Sequence, residues 1–307
     1  MTVVEERPAP TTLLRSVPQE YVHKRNAAEV LLSGWTQTRA NEFVVTALWP
    51  RVHPLYCLGH GLYDPMLFAE TVRQCIPLLS HAGYQVPVGH HLIWQHLTFE
   101  VDPSAMYIDE RPGAVTLHLT CSDVTVRSGR LAALTMRVTA LRDGIPMGTA
   151  EARFSSHSPA IYRRLRAGSG EGAPTAAASG ALPGISPDQA GRVSAGDVVL
   201  AETGVQDRWL LRSDTTHPLF FDHPVDHVPG MLLLEAARQA AHAQAWPLPL
   251  YPYRLASTFF QYVEFNSDCH ITASPLPAGH GALPGISMTA EQGGVTAFTS
   301  TVTTTAR

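Results

Sequence analysis

Phe221-Asp222-His223-Pro224-Val225-Asp226-His227-Val228-Pro229-Gly230-Met231-Leu232-Leu233-Leu234-Glu235-Ala236-Ala237-Arg238-Gln239-Ala240-Ala241-His242 is a polar, proline-bearing loop that runs into a helix. Pro229-Gly230 is a strong turn signal. From Met231 onward the residues favour helix. The helix is apolar on nearly every face, which predicts burial rather than an amphipathic surface position. Yet Glu235, Arg238 and Gln239 sit at i, i+3 and i+4, on one face. A carboxylate and a guanidinium inside an apolar helix are costly unless they pair or do chemistry.

The pattern has an earlier twin. Met66-Leu67-Phe68-Ala69-Glu70-Thr71-Val72-Arg73-Gln74 matches Met231 to Gln239, with Pro65 suited to a first helical turn. Four further stretches match in the same order: Glu29-Val30-Leu31-Leu32 with Asp197-Val198-Val199-Leu200, Glu42-Phe43-Val44-Val45 with Arg208-Trp209-Leu210-Leu211, His53-Pro54-Leu55-Tyr56 with His217-Pro218-Leu219-Phe220, and Phe99-Glu100-Val101 with Val263-Glu264-Phe265. Ordered matches at an offset of about 164 to 168 residues mark an internal duplication. Segments near 91–101, 114–127, 130–142 and 146–156 are rich in Val, Thr and Leu and separated by turn dipeptides, as in an antiparallel sheet. The expected fold is α+β: a tandem double hotdog, each unit a long central helix wrapped by an antiparallel sheet. A lone unit would leave a sheet edge uncovered, so the two units are expected to pair as an intramolecular pseudo-dimer. The boundaries read as an N-terminal arm over 1–20, a first repeat over 21–165, a Gly/Ala/Ser/Pro linker over 166–195 and a second repeat over 196–307.

Composition narrows the function. The 307 residues are 45% hydrophobic and 16% charged, with a net charge of -4. That describes a globular chain with large cores. No basic block interleaved with aromatics points to nucleic acid, and no run approaches the roughly 20 apolar residues of a membrane span. Cys57, Cys75, Cys121 and Cys269 are scattered without ligand spacing, so buried thiols in a reducing cytoplasm are expected and a metal is not. Residues 1–15 lack the apolar core of a signal peptide. There is no Gly-rich phosphate loop, no dinucleotide fingerprint and no Gly-Xaa-Ser-Xaa-Gly, so neither a nucleotide cofactor nor a serine nucleophile is expected.

The candidate chemistry lies in the repeated residues. Glu70, Arg73 and Gln74 recur as Glu235, Arg238 and Gln239. They could be structural ion pairs. Alternatively, burial should raise each carboxyl's pKa and fit it for acid–base work near pH 7. His60 and His223 precede the two helices at matching places, and His227 has no counterpart. Each helix start offers unpaired N–H groups and a positive dipole end for a developing oxyanion.

The loop and helix from Asp222 to Gln239 resemble the His…Pro-Gly…Glu-Ala…Gln signature of hotdog dehydratases, with a shorter His223–Glu235 spacing and an added Arg238. Together with the duplication and Val22-His23-Lys24-Arg25 before Glu29-Val30-Leu31, the chain more closely resembles the A-factor biosynthesis (AfsA-like) family over about 20–165 and 193–305. That resemblance implies a γ-butyrolactone synthase. Its partners would be a β-ketoacyl group on acyl carrier protein and dihydroxyacetone phosphate, with no cofactor. The ester can then close towards a butenolide phosphate on the way to signals that control secondary metabolism. It implies Glu235 as base, Arg238 as its orienter or phosphate contact, and Glu70 completing the site from the first copy. Arg73, His223, His60, Gln239, Gln74, Lys24 and Arg25 are the expected substrate contacts. A hotdog dehydratase or thioesterase, and a non-catalytic acyl-binding regulator, are the competing readings. A monomeric pseudo-dimer and a homodimer of the chain both fit.

Overall fold

The computed structural model describes residues 14–56, 61–169, 174–175, 178, 180–277 and 285–306. Six strands come first: β1 (Leu32–Arg39), β2 (Glu42–Trp49), β3 (His91–Val101), β4 (Gly113–Arg127), β5 (Arg130–Arg142) and β6 (Ile145–His157). Six follow: β7 (Leu200–Glu202), β8 (Arg208–Leu211), β9 (Leu250–Phe259), β10 (Cys269–Pro275), β11 (Ile286–Gln292) and β12 (Val295–Ala306). The helices are α1 (Pro65–Leu78), α2 (Pro159–Leu165), α3 (Pro187–Ala190) and α4 (Gly230–Ala245).

All the strands join one 12-stranded sheet in the order β1-β2-β4-β5-β6-β3-β9-β12-β11-β10-β8-β7. Read outward from the middle, the two halves have the same order. β3 and β9 meet antiparallel at the centre, with Leu97 opposite Ser257 and Phe99 opposite Leu255. Each half therefore closes the other's open edge, which is what an unpaired edge strand demands. The chain is a double hotdog.

Burial follows the periods read from the sequence. Residues of β2 and much of β4 alternate between buried and more exposed, the period-2 signature of a strand with one covered face. All of α1 except Arg73 is buried, and so is every α4 residue from Met231 to His242. Apolar residues on all faces of these helices are thus explained by the sheet around them.

The matched stretches 29–32 and 197–200 are strand only at their last residue. Ala27–Glu29 and Ala195–Asp197 are short 3-10 turns, and the strands begin only at Leu32 and Leu200. The cause is local hydrogen bonding. The Asn26 and Ser194 side chains cap the two turns. Gln74 and Gln239 then take the backbone N–H groups of Leu31 (3.0 Å) and Val199 (2.9 Å), which are lost to the ladder. His53 and His217 reach back to the turn acids Glu29 (3.3 Å) and Asp197 (3.1 Å), and each stacks on the ring three residues ahead, Tyr56 or Phe220. These repeated histidines brace the loops that lead into the helices.

Candidate active site

The first site is assembled around Glu70. Arg73 sits one turn along α1 and donates to both Glu70 oxygens, from Nε at 2.7 Å and Nη2 at 2.8 Å. Gln74 Nε2 adds a third bond at 2.9 Å. The segment before β1 is drawn over this end of the helix. Arg73 Nη2 donates to the Val22 carbonyl (3.3 Å), and Asp222 of the second half accepts from the backbone N–H groups of Arg25 (2.6 Å) and Asn26 (3.0 Å). That strapping brings Lys24 Nζ to 3.1 Å from Glu70 with almost no exposure.

Across from Glu70 lies the start of α4. Its N-cap is Pro229, which offers no side-chain acceptor to the first-turn N–H groups. A cavity of about 120 Å³ lies between them, lined by His23, Lys24, Glu70 and Arg73 from one half and Asp222, His223, Gly230 and Met231 from the other. Trp94 of β3 lines it too, together with a cleft of about 530 Å³ towards His91 and Tyr162 and one of about 360 Å³ towards Leu233, Phe259 and Val263, whose lining mixes apolar side chains with Gln95, His227 and Gln261. Gly230 packs closely: a Cβ there would lie 3.2 Å from the Trp94 ring, which would have to shift by a few tenths of an ångström.

The second site repeats the carboxylate but not the opening. Glu235 is fully buried. Gln239 donates to it at 2.6 Å and Arg238 at 3.1 Å. Arg192 grips it from the opposite side, with Nε on Oε1 at 2.7 Å and Nη2 on Oε2. Arg192 also binds Asp64 (3.0 Å) and the Leu55 carbonyl (2.6 Å). Asp64 is the N-cap of α1 and accepts from Met66 N. Here the facing helix start is capped by Asp64, and Arg192 joins that cap to Glu235. A cavity of about 440 Å³ near His242 and Trp246 touches Arg192 but neither helix glutamate.

The expected rise in carboxyl pKa is reversed at both positions. Burial pushes the Glu70 carboxyl up, but Arg73 and Lys24 outweigh it and hold it down to about 2. Burial likewise pushes Glu235 up, and Arg192 and Arg238 bring it to about 2. Charge neutralisation inside a low-dielectric core beats desolvation when two cations bond directly to the carboxylate. Glu70 and Glu235 are therefore ionised anchors for cations.

The structure gathers Lys24, Glu70, Arg73 and His223 around one cavity. It seals Arg238 with Glu235, where its Nη2 donates to the Ala190 and Gly191 carbonyls. Gln74 and Gln239 spend their amides on the protein itself, the Glu29 and Asp197 carbonyls included. Arg25 is exposed and contributes its backbone N–H to Asp222. His60 lies outside the described residues.

Two residues escaped the sequence reading. Arg192 falls in the stretch read as linker, just after α3, whose capping box of Ser186 and Gln189 holds it in place. His23 lines the Glu70 cavity. Both had a signal: the offset of 168 that takes Glu29 to Asp197 also takes Lys24 to Arg192 and His23 to Gly191.

The sheet order and the paired central helices define a double-hotdog protein, with an ionised cluster facing a helix start between its halves. The A-factor biosynthesis hotdog domain (AfsA) matches residues 6–158 and 175–250, and the chain belongs to that family. It is 39% identical to a 2-oxo-3-(phosphooxy)propyl 3-oxoalkanoate synthase of Streptomyces virginiae, over 94% of this chain and 97% of that one. It is 38% identical to a protein of the same name from Streptomyces coelicolor, over 93% and 90%. Among solved structures, a 12:0-ACP thioesterase from Umbellularia californica matches with a TM-score of 0.52 at 8% identity, over 89% of this chain and 100% of that one. An oleoyl thioesterase from Lactobacillus plantarum matches with a TM-score of 0.52 at 11% identity, over 88% and 98%. At such identities these structures share the fold alone.

Proposed function

We propose that this protein moves a 3-oxoacyl group from a thioester on acyl carrier protein to a hydroxyl of dihydroxyacetone phosphate. The product is a 2-oxo-3-(phosphooxy)propyl 3-oxoalkanoate, the first step towards a γ-butyrolactone or related butenolide or furan signal. Family membership and the names of the two Streptomyces relatives support the reaction. The observation that carries the choice of site is its asymmetry. Lys24 and Arg73 share a cavity with an uncapped helix start at Glu70, whereas Arg192 occupies the corresponding place at Glu235.

Lys24 and Arg73 are the cations for the phosphate, Arg73 by its planar fork and Lys24 as a point charge. Glu70 holds both in position. The acyl chain lies in the cleft beside Trp94, Leu233 and Phe259. The thioester carbonyl points at the backbone N–H groups of Gly230 and Met231, where the helix dipole favours negative charge. Glu235 and Arg238 make up the structural counterpart of this site.

The test is product identification by mass spectrometry. Purified protein is incubated with a panel of β-ketoacyl-carrier-protein thioesters, with and without dihydroxyacetone phosphate. A phosphorylated ester that needs the triose phosphate is expected. Free acid in both arms would make the protein a thioesterase. An enoyl thioester from the 3-hydroxyacyl substrate would make it a dehydratase, and no turnover with either would leave an acyl-binding protein. No helix among the described residues is long and apolar enough to cross a membrane.

A further inference from the structure

His23 occupies a backbone conformation that suits glycine. Its φ and ψ are 52° and 48°, in the left-handed region. In the second half the corresponding residue is Gly191, at φ 60° and ψ 39°. The same turn is thus built twice, once with the residue that adopts it freely and once with a histidine that adopts it at a cost. Strain of this kind persists where the surroundings over-determine it, and it clusters at functional sites. Here the surroundings are the Arg73 bond to Val22 and the Asp222 bonds to Arg25 and Asn26, which clamp the turn from both sides. The histidine they hold lines the cavity that contains Lys24, Glu70 and Arg73.

The ring is also oriented. His81 Nδ1 lies 2.7 Å from the Val86 carbonyl, which can only accept, so Nδ1 of His81 carries a proton. His23 Nε2 and His81 Nε2 are 2.8 Å apart. With both rings neutral, His81 Nε2 is the acceptor and His23 Nε2 the donor. The remaining nitrogen of His23, Nδ1, then carries a bare lone pair. Burial, then His81 and Arg73, hold the His23 pKa down to about 3, so the ring is neutral at neutral pH. At the place of His81 the second half has Trp246 when the helix offset of 165 (Glu70 to Glu235) is carried on, so the pair is confined to the open site.

We infer that His23 is the general base of the acyl transfer and that His81 is the positioning residue that fixes its tautomer. The inference rests on the acyltransferase reading above. His23 Nδ1 takes the proton of the triose hydroxyl as that oxygen bonds to the thioester carbonyl carbon. The carbonyl electron pair moves to oxygen and is held at the α4 N-terminus. The Nε2–H bond to His81 strengthens as His23 becomes an imidazolium. When the tetrahedral species collapses, the C–S bond breaks and the Nδ1 proton passes to sulfur. Ester and carrier thiol leave, and His23 is neutral again. The phosphate dianion that arrives beside Arg73 offsets that guanidinium's share of the lowering, while the larger share due to burial stays, so the base strengthens in part when the acceptor substrate is bound.

The experiment uses the full chain with a β-ketoacyl-carrier protein and dihydroxyacetone phosphate. H23G restores the residue that the second half uses in this turn, so it should fold. Its kcat should fall about 10²–10⁴-fold, with KM for the triose phosphate changed less than about threefold, and added imidazole should recover part of the rate. H81L should lower kcat roughly tenfold or more. H81Q, whose amide oxygen can accept the same Nε2 hydrogen bond, should regain most of that loss. Full kcat in H23G, or a loss that imidazole does not restore at all, overturns the assignment. If the wild-type chain makes no phosphorylated ester, the acyltransferase reading fails instead, and that outcome is seen before any variant is compared.

Discussion

The Arg192 guanidinium binds both oxygens of the Glu235 carboxylate, at the place where Lys24 meets Glu70 in the other half of the chain. One exchange of cation separates a sealed site from an open one. A guanidinium carries enough donors to satisfy Glu235, Asp64 and the Leu55 carbonyl together, whereas an ammonium on a slim stem leaves room beside Glu70.

Arg192→Met should therefore be a stability variant. It strips one of two guanidinium partners from the buried Glu235 carboxylate and leaves Asp64 with Arg238 alone, at 3.7 Å, a loss of about 3–5 kcal/mol. Thermal unfolding should show a drop of roughly 10 °C. A melting curve that superimposes on the wild type would show that the arginine adds nothing to the core.

Glu70→Gln and Glu235→Gln should part company. The first loosens Lys24 and Arg73, and acyl transfer should lose about a hundredfold or more in kcat/KM, equivalent to about 3 kcal/mol. The second should keep transfer within about threefold per folded molecule while lowering the urea midpoint. Loss of turnover in the second alone, with a native unfolding curve, would move the active site to Glu235.

Acid should weaken the fold in two stages. His23 has a folded pKa of about 3 against an ordinary 6.5, so the unfolded chain takes up its proton first and stability falls as pH drops below about 6.5. His90, His91, His157 and His223, all lowered chiefly by burial, act in the same direction. Glu70 and Glu235, at about 2 against 4.5, add a second loss below about pH 4.5. Urea midpoints should hold from pH 8 to about pH 7 and fall from there to pH 4, and H23G should flatten the upper stage. A midpoint independent of pH between 8 and 5 would contradict the burial of a neutral His23.

Gly191→Ala should destabilise by about 1–3 kcal/mol, since φ is 60° and the new Cβ would meet the His242 ring at 2.7 Å. H23G should stay within about 1 kcal/mol of wild type, because released backbone strain offsets the lost bond to His81. Urea unfolding of both variants checks the contrast. Equal losses would mean that the two turns are not equivalent.

Much of this architecture is legible in the chain. Four segments read as strands near 91–101, 114–127, 130–142 and 146–156 are β3 to β6, because alternation of Val, Leu and Thr is set by which face the core covers. The helical stretch from Met66 to Gln74 lies in α1 and its twin from Met231 to Gln239 in α4, and the shared Glu-Arg-Gln spacing gives an ion pair in each, since i, i+3 and i+4 neighbours touch in any helix. The site was harder to read. His223 stands before the Glu235 helix in sequence, yet it shares its cavity with Glu70, because the two halves pack so that each helix start faces the other half's glutamate.

The sequence by itself determined the duplication, the buried helices and the family, all of which depend on local period and on order along the chain. Only the tertiary structure decided the sign of the carboxyl pKa shifts, the blockage of one site by Arg192 and the tautomer of His23. Those depend on which charges and lone pairs meet across loops more than 40 residues apart, where a few ångströms choose between desolvation and charge pairing.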